Sequence, residues 1–432
     1  MNHLNRRDFV RASSIATGVV AAGVHSMASE TTSSSPNERI VVGVMGLQRG
    51  QSLVSSFAGQ PNTEVGYLCD VDKHRLENVA KRHKAQTGKG AKSVTDFREI
   101  LDDSGIDVLV CAAPNHWHAP ATIIGCNAGK HVYVEKPCSH NPHEGELMVQ
   151  AARKHKRCVQ MGSQRRSNQS WRKAVKMLHE GAIGRVYLAR AWYSSLRGSV
   201  GTDKFIEVPD YLNYELWQGP APRKPYSPAV VHYNWHWRWH WGNGELGNNG
   251  VHTLDLCRWG LGVDYPTMVT SEGGRYAYDD AQETPDTHTV NFSFADNKSI
   301  SWMGLSCNRH SEGFINFYGT EGTMAVGPDG ATTVYDRNDR PIPDRELRSA
   351  GDMQNMHIAN FLDAIRSDNP SSLNSEIEIG HKSTLLCHLG NISHRVGRTL
   401  YCDDTNGHIQ SDDEAMAHWK REYEPGWEPK VS

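Results

Sequence analysis

The chain has 432 residues, a length that suggests two or three domains. Its 46 Lys and Arg and 49 Asp and Glu give a formal net charge of −3, so it lacks the basic excess with which nucleic-acid-binding proteins neutralise phosphates. With 38% hydrophobic and 22% charged residues, the composition is that of a folded protein rather than a disordered one.

The first residues are typical of an export signal. Arg6 and Arg7 precede a mildly apolar stretch at residues 12–24, and this order resembles a twin-arginine signal. The stretch is too short to span a bilayer, so we expect no stable membrane insertion. We therefore predict a twin-arginine signal peptide at residues 1–28, recognised by the twin-arginine export machinery, and a polar linker at residues 29–38. The mature protein is expected to be periplasmic.

From residue 39 the pattern alternates between apolar strands and helical segments. Short apolar runs lie at residues 40–45, 64–70, 106–111 and 131–134, as expected of strands that are buried on both faces. The alternation predicts an α/β fold with a doubly wound parallel sheet, a Rossmann domain over residues 39–160.

The first turn of this domain carries an imperfect dinucleotide-binding fingerprint. Gly46 and Gly50 are present, but Gln48 replaces the second glycine of G-x-G-x-x-G and the loop is one residue short. Asp70 ends the second strand, where a carboxylate accepts hydrogen bonds from ribose hydroxyls and repels a 2′-phosphate. An ordinary tight turn and a helix cap are the alternatives. The order of strand, turn and helix favours dinucleotide binding, and the Asp70 carboxylate favours NAD over NADP.

Three motifs follow one another along the rest of the chain. PNHWH stands at residues 114–118, EKP at residues 135–137 and GVHTLD at residues 250–255. Together they resemble the T-P-N-x-x-H, E-K-P and G-x-H-x-x-D motifs of the glucose–fructose oxidoreductase and inositol dehydrogenase (Gfo/Idh/MocA) family. The resemblance covers nearly the whole chain after Arg39.

The resemblance implies NAD as the cofactor and assigns residues to its site. The cofactor-binding candidates are Gly46, Gln48, Arg49, Gly50, Asp70, Pro114, Asn115, His118, Glu135, Lys136 and Gln164. Glu135 and Lys136 follow a buried strand, so they are expected at the carboxyl edge of the sheet, where ligands bind.

The catalytic candidates are Lys136, His252 and Asp255. A neutral imidazole can take the hydroxyl proton while a lysine stabilises the alkoxide, so His252 is predicted as general base and Lys136 as its electrostatic partner. Asp255 is predicted to orient His252 or to accept a substrate hydroxyl; a helix-terminal His beside a capping Asp is the alternative. In inositol dehydrogenases an Asp stands four residues before the His, whereas this chain has Asn248, which cannot relay a proton.

After residue 160 the pattern changes to strands with alternating faces. We predict an α+β domain over residues 161–432 with an open, mainly antiparallel sheet, and later helices that pack near the first domain. In the family the exposed face of this sheet serves subunit contact, so the resemblance implies a homo-oligomer, either a dimer or a tetramer. The predicted strands lie at residues 185–193, 267–273, 287–294, 298–304 and 313–318.

One segment, HYNWHWRWHW at residues 232–241, is crowded with Trp and His. An indole ring stacks on the C–H face of a sugar, so a saccharide platform is one interpretation. A structural aromatic cluster is another, and a zinc site from His232, His236 and His240 is a third. No acidic or thiol ligand accompanies these His residues, so no metal is predicted. The substrate-contact candidates are Arg166, Tyr193, Trp235, His236, Trp237, Asn248 and His252.

These features predict an exported, NAD-dependent oxidoreductase. It would transfer a hydride between a nicotinamide cofactor and a hydroxyl or keto group of a sugar or glycoside. The cofactor is expected to be tightly bound, because no pool of soluble NAD is expected in the periplasm. A first alternative is an NAD-dependent glycosidase or lyase that oxidises a ring carbon, eliminates the aglycone and reduces the product again. A second is a non-catalytic sugar-binding relative, which Gln48 and Asn248 would favour.

Overall fold

The structure, a computed structural model, describes residues 39–432. The predicted signal peptide at residues 1–28 and the predicted linker at residues 29–38 lie outside the described residues. Within residues 39–432, no helix is both long and apolar enough to cross a membrane.

A six-stranded parallel sheet forms the centre of the first domain. Its strands are β1 (Ile40–Met45), β2 (Thr63–Cys69), β3 (Lys92–Val94), β4 (Val108–Cys111), β5 (His131–Val134) and β6 (Val159–Met161). Their order is β3-β2-β1-β4-β5-β6. The central strands β4 and β5 are buried along their whole length because helices cover both faces of the sheet. The predicted Rossmann sheet is confirmed, with β3 and β6 as additional short strands.

Helices follow the strands of the first domain along the chain, and two of them, α2 and α5, begin with a side-chain cap. They are α1 (Leu47–Ala58), α2 (Lys73–Thr87), α3 (Arg98–Asp102), α4 (Asn115–Asn127) and α5 (Pro142–His155). Asp72 caps α2 by accepting hydrogen bonds from the backbone N–H groups of His74 and Arg75. Pro142 stands at the first position of α5, where its missing N–H leaves no intrahelical bond unmade.

The second domain is built on a nine-stranded sheet. Its strands are β7 (Val186–Leu196), β8 (Met268–Gly274), β9 (Thr287–Phe294), β10 (Lys298–Leu305), β11 (Cys307–Asn308), β12 (Ile315–Gly319), β13 (Gly322–Val326), β14 (Thr332–Asp336) and β15 (Leu400–Tyr401). The order is β14-β13-β12-β7-β10-β9-β8-β15, with β11 beside β7. Only β7 and β10 run parallel among these strands. The predicted open, mainly antiparallel sheet is confirmed.

Helices cover one face of this sheet. The helices after residue 168 are α6 (Gln169–His179), α7 (Tyr214–Gln218), α8 (Val251–Leu261), α9 (Met353–Arg366), α10 (Ile377–Val396) and α11 (Asp413–Met416), and among them α8 and α10 pack directly against the sheet. Leu254 of α8 and Leu389 of α10 share a buried cluster with Val290, Ile300 and Phe317 of the sheet. One π-helical turn, residues 246–250, leads directly into α8.

Helix α9 packs on the first domain although it follows the second sheet in sequence. Its Ile358 and Phe361 belong to the same buried cluster as Val44 and Phe57. The rings of Phe361 and Tyr133 meet edge to face at 5.8 Å. The apolar face of β1 and α1 is therefore completed by a helix about 300 residues later in the chain.

Between β7 and α8 lies a segment that we call the strap, residues 211–241, which crosses from the second domain to the first. The N–H of Lys73 donates to the carbonyl of Tyr211, and the N–H of Asn213 donates to that of Val71, both at 2.9 Å. A Cβ at Gly219, whose φ is +46°, would lie 1.9 Å from the ring of Trp117. The strap is thus held close against α2 and α4.

Candidate active site

A cavity of about 400 Å³ lies at the carboxyl edge of the parallel sheet, and residues of the strap form part of its wall. The cavity brings together fourteen of the residues predicted from the sequence. These are Gly46, Gln48, Arg49, Asp70, Pro114, Asn115, His118, Glu135, Lys136, Gln164, Trp235, His236, Asn248 and His252. Five predicted residues lie outside its wall: Gly50, Arg166, Tyr193, Trp237 and Asp255.

The nucleotide end is built on a turn that requires glycine. Gly46 has a φ of +84°, and a Cβ there would lie 2.6 Å from the backbone of Ala112. Behind the turn, the carboxylate of Asp70 accepts hydrogen bonds from the N–H of Leu47 at 2.7 Å and of Asp72 at 2.9 Å. Burial raises the pKa of Asp70. The bare turn, the start of α1 and the acid at the end of β2 fit the pyrophosphate and ribose of a dinucleotide.

Gly50 has a packing role. It lies one turn into α1, and a Cβ at this position would approach Val44 to 3.1 Å and Ala112 to 3.6 Å. Gly50 lies outside the cavity wall, and its small size lets the helix approach the strand closely. Its contact with the cofactor stays a prediction.

Gln48, which replaces the second glycine of the fingerprint, accepts a hydrogen bond from Arg75, a residue that the sequence did not single out. Arg75 of α2 donates to the side-chain oxygen of Gln48 at 3.0 Å and lines the cavity beside Asp70. Its neighbour Arg49 forms an ion pair with Glu135 at 3.1 Å. No motif marks Arg75, because it is one of several charged residues on an exposed helix.

Lys136 and His252 both line the cavity, and the charge of Lys136 acts on His252. The ammonium of Lys136 donates to the carbonyl oxygen of Asn248 at 2.6 Å and to its side-chain oxygen at 3.1 Å. Burial lowers the pKa of Lys136, although the nearby Glu135 and Glu245 carboxylates oppose this shift. Asn248 thus orients Lys136 rather than His252.

His252 is held in its neutral form. Burial lowers its pKa well below 6.5, and the positive charges of Lys136, Arg165 and Arg49 lower it further. Within residues 39–432 its ring makes no hydrogen bond, while it lines the cavity. A neutral imidazole facing a cavity beside a lysine can accept a proton from a bound hydroxyl group.

Glu245 is a buried acid near Lys136 that the sequence analysis did not single out. It is 3% exposed and pairs with Arg197 at 2.7 Å. Arg197 also donates to the hydroxyl of Tyr193 at 3.2 Å and lies 4.7 Å from the ring centroid of Trp237. Tyr193 and Trp237 lie outside the cavity wall and both contact Arg197, so their contact with substrate stays a prediction.

Asp255 and Arg166 form a buried ion pair outside the cavity. The Nε of Arg166 lies 2.8 Å from one carboxylate oxygen of Asp255 and 2.9 Å from the other. Ser383 of α10 donates to the same carboxylate at 2.6 Å, and the guanidinium of Arg166 lies 4.9 Å from the ring centroid of Trp259. The predicted contacts of Asp255 with His252 or substrate, and of Arg166 with substrate, are therefore not found.

The Trp- and His-rich segment contributes Trp235 and His236 to the cavity, with their rings stacked at 3.6 Å. Burial lowers the pKa of His236 to about 3. The three histidines considered for zinc have separate partners: His232 bonds to Asp72, His236 to a carbonyl of its own segment, and His240 to the carbonyl of Pro222. In the described part of the chain, no three His, Cys, Asp or Glu residues are grouped to hold a metal.

Comparison with curated proteins gives relatives that act on sugars by name. Glycosyl hydrolase family 109 protein 1 of Shewanella sp. (strain ANA-3) is 25% identical over 215 residues, 45% of this chain and 46% of that protein. Levoglucosan dehydrogenase of Pseudarthrobacter phenanthrenivorans is 30% identical over 171 residues, 39% of this chain and 37% of that protein. The chain thus matches less than half the length of these relatives.

Solved structures share the fold over most of the chain. The aldose-aldose oxidoreductase of Caulobacter crescentus superposes with a TM-score of 0.65 at 18% identity, covering 84% of this chain and 99% of that one. A levoglucosan dehydrogenase in complex with NADH and levoglucosan gives 0.64 at 20% identity, with the same coverage.

Two family models together account for almost all described residues. Residues 40–163 match the oxidoreductase family's NAD-binding Rossmann fold, and residues 190–428 match its C-terminal alpha/beta domain. The predicted family and the predicted NAD-binding domain are confirmed. The chain belongs to the Gfo/Idh/MocA oxidoreductase family.

Proposed function

We propose that this protein transfers a hydride between NAD and a hydroxyl or keto group of a sugar or glycoside. One observation carries the proposal: a single cavity is lined by the glycine turn and acid of a dinucleotide site, by Lys136 and neutral His252, and by the indole of Trp235. Bound NAD would supply the hydride acceptor or donor. The neighbouring residues supply proton transfer and substrate contact.

The geometry assigns separate tasks to the two reactive side chains. A lysine ammonium has three N–H donors, and the two acceptors of Asn248 engage two of them. The third remains to bind the reacting oxygen and to stabilise negative charge as it develops. His252 takes the hydroxyl proton on oxidation and returns it on reduction.

The preference for NAD over NADP rests on Asp70. Its carboxylate at the end of β2 favours ribose hydroxyls and repels a 2′-phosphate. Arg75 lines the cavity beside Asp70, donates to Gln48 and favours the charged form of the Asp70 carboxylate. We therefore propose NAD as the physiological cofactor.

The strap supports the proposal that NAD is tightly held. It lines the nucleotide cavity with Trp217, His232 and Tyr233, and it is anchored to α2 through the hydrogen bond of 2.9 Å between His232 and Asp72. Release of a dinucleotide requires these contacts to open. Such retention suits a cofactor that is recycled in place.

We also propose that the protein is exported to the periplasm by the twin-arginine route and that it forms a homo-oligomer.

Trp235 supports a saccharide substrate. An indole face binds the C–H side of a sugar ring, and the stacked His236 adds a polar edge. The levoglucosan dehydrogenase relative is named for an anhydrosugar substrate, which agrees with this class. The sugar, the carbon oxidised and the physiological direction are left open by this proposal.

An NAD-dependent glycosidase or lyase is the second candidate. The glycosyl hydrolase family 109 relatives favour it, because glycoside cleavage through transient oxidation needs the same cofactor and the same proton-transfer pair. A non-catalytic sugar-binding relative is the third candidate, and the joint presence of Lys136 and His252 in the cavity opposes it.

Product mass spectrometry distinguishes these candidates. Full-length protein loaded with NAD is mixed with a panel of simple glycosides and a keto-sugar acceptor, and Lys136→Ala serves as the inactive control. A glycoside lighter by two hydrogens supports the dehydrogenase. Free aglycone with an unoxidised sugar would assign the glycosidase instead, and NAD titration without binding would assign the non-catalytic relative.

A further inference from the structure

A second pocket, separate from the active-site cavity, lies where the strap meets α5 and α10. Its cavity volume is about 460 Å³. The far end of the Trp- and His-rich segment lines it through Trp239 and His240, whereas Trp235 and His236 of the same segment line the active-site cavity. The proposed function gives this second pocket no role.

The pocket has an excess of positive charge. Four cationic side chains line it, Lys224, Arg395, Lys420 and Arg421, against the two carboxylates of Glu283 and Glu422. Glu283 accepts a hydrogen bond from the backbone N–H of Trp239 at 2.7 Å. Among residues 39–432, none of the four cations lies within 4.0 Å of a carboxylate oxygen. Such uncompensated charge in a concave surface attracts an anion.

Arg421 shows how this charge is left available. The Nε2–H of His140 donates to the carbonyl of Trp239 at 3.0 Å, so its Nδ1 carries no proton and accepts from Arg421 at 3.3 Å. The Nε of Arg421 donates to the carbonyl of Glu422. The nearest buried acid, Glu144, accepts from the N–H of His140 and from a tyrosine hydroxyl. Neutral acceptors therefore position the Arg421 guanidinium, and within the described residues the Glu144 carboxylate attracts it without forming a direct ion pair.

Two further features point to a ligand that is larger than a simple ion. Asn141 lines the pocket and is 5% exposed, and its side-chain nitrogen makes no hydrogen bond of full geometry within the described residues, although Glu144 and the Tyr423 hydroxyl lie near its side chain. The guanidinium of Arg395 lies 5.4 Å from the ring centroid of Trp239 and has no hydrogen bond in the described part of the chain. A ligand oxygen would supply hydrogen-bond acceptors to both side chains.

We propose that this second pocket binds an anionic saccharide whose charge comes from carboxylate or sulfate groups. Arg395, Lys420 and Arg421 bind the anionic groups, because guanidinium and ammonium groups form charge-assisted hydrogen bonds with such oxygens. Asn141 donates to a ring or hydroxyl oxygen, and the Trp239 indole packs against the sugar. The volume accommodates a sugar unit together with its charged group.

The proposal is tested by calorimetric titration of the full-length protein. The probes are an oligogalacturonate, a sulfated galactan oligosaccharide, a neutral galactan oligosaccharide of the same length, and inorganic sulfate. We expect one or both anionic oligosaccharides to bind at least about tenfold more tightly than the neutral one, with an affinity that falls as salt concentration rises. Comparing the affinities for the oligogalacturonate and for the sulfated galactan oligosaccharide shows whether the pocket prefers carboxylate or sulfate groups.

Two variants assign the binding to this pocket. Arg395→Gln and, at an exposed position, Lys420→Gln should each weaken binding of the anionic oligosaccharide by about tenfold. The matched control is Arg185→Gln, because Arg185 also lies over an exposed aromatic ring, at 6.0 Å from the centroid of Tyr187, but lines neither cavity. Its affinity should equal that of the wild type.

Several outcomes would overturn the inference. If neutral and anionic oligosaccharides bind equally well, the pocket does not select its ligand by charge. If inorganic sulfate binds as tightly as the anionic oligosaccharides, the sugar contributes nothing to binding. If no oligosaccharide binds, or if Arg395→Gln and Lys420→Gln leave the affinity unchanged, this pocket is not a saccharide-binding site. None of these readouts depends on hydride transfer, so failure of this inference and failure of the proposed function are distinguishable.

Discussion

Replacing Asp255 by Asn tests whether this residue acts in catalysis or in holding the fold. The substitution keeps the shape of the side chain but removes the negative charge that pairs with Arg166, whose side chain is 6% exposed. Breaking a buried ion pair by removing one partner costs about 3–5 kcal/mol, because the remaining charge stays buried without compensation. We expect the free energy of unfolding of Asp255→Asn to fall by this amount.

Urea denaturation and steady-state kinetics together give the answer. Since Asp255 lies outside the cavity wall, turnover by the folded variant should remain within about threefold of wild type. The double variant Asp255→Leu with Arg166→Met is the control, because replacing both charges with apolar side chains is often neutral or stabilising. It should recover most of the lost unfolding free energy.

The opposite pattern would refute this reasoning. If Asp255→Asn unfolds at wild-type urea concentrations while its turnover falls by about 10²-fold or more, then the carboxylate takes part in proton transfer. The buried pair with Arg166 would then not be the main role of this residue.

Four further predictions concern the cavity. Lys136→Ala and His252→Ala should each lower turnover by about 10²-fold with NAD affinity largely kept; near wild-type rates for either variant would remove that residue from proton transfer. Because burial and nearby cations lower the pKa of His252 well below 6.5, its base form persists as pH falls through 6.5, so kcat/KM should decline only at lower pH; a decline centred on 6.5 would contradict this. Asp70→Asn should weaken NAD binding by about tenfold or more in a fluorescence titration, and an unchanged affinity would place the ribose elsewhere. His232→Ala removes the bond between the strap and Asp72 and should speed NAD dissociation by about fivefold in stopped-flow measurements; an unchanged rate would show that this contact does not retain NAD.

The fold was largely predictable because its strongest signals are local. Parallel strands buried on both faces are continuous apolar runs, and β1 is found at the predicted residues 40–45. The strands β3 and β6 have three residues each, too few to show a period. They form because the neighbouring strands offer unpaired backbone groups, which is information from the sheet rather than from their own sequence.

The site residues were predictable where their position after a strand determines which way the side chain points. They were not predictable where packing against distant residues determines it. Lys136 follows a buried strand, so the sheet itself places it at the cavity. His252 and Asp255 lie three positions apart on α8, and their side chains differ in direction by about 60° around the helix axis. This angle is too small for the sequence spacing to tell which side chain faces the cavity and which faces the protein interior. What separates them is Arg166 and Ser383, partners 89 and 128 positions away from Asp255.

The late arrival of α9 has a consequence for how the molecule is made. During synthesis, β1 and α1 leave the ribosome long before Met353–Arg366, the helix that covers Val44 and Phe57. Until then these side chains have no permanent cover, and closure of such a distant contact is slow compared with local helix formation. A nascent chain stopped before residue 353 should therefore be a preferred client of chaperones. The nucleotide-binding half matures only when the other half is nearly complete, so cofactor insertion is expected to follow translation rather than accompany it.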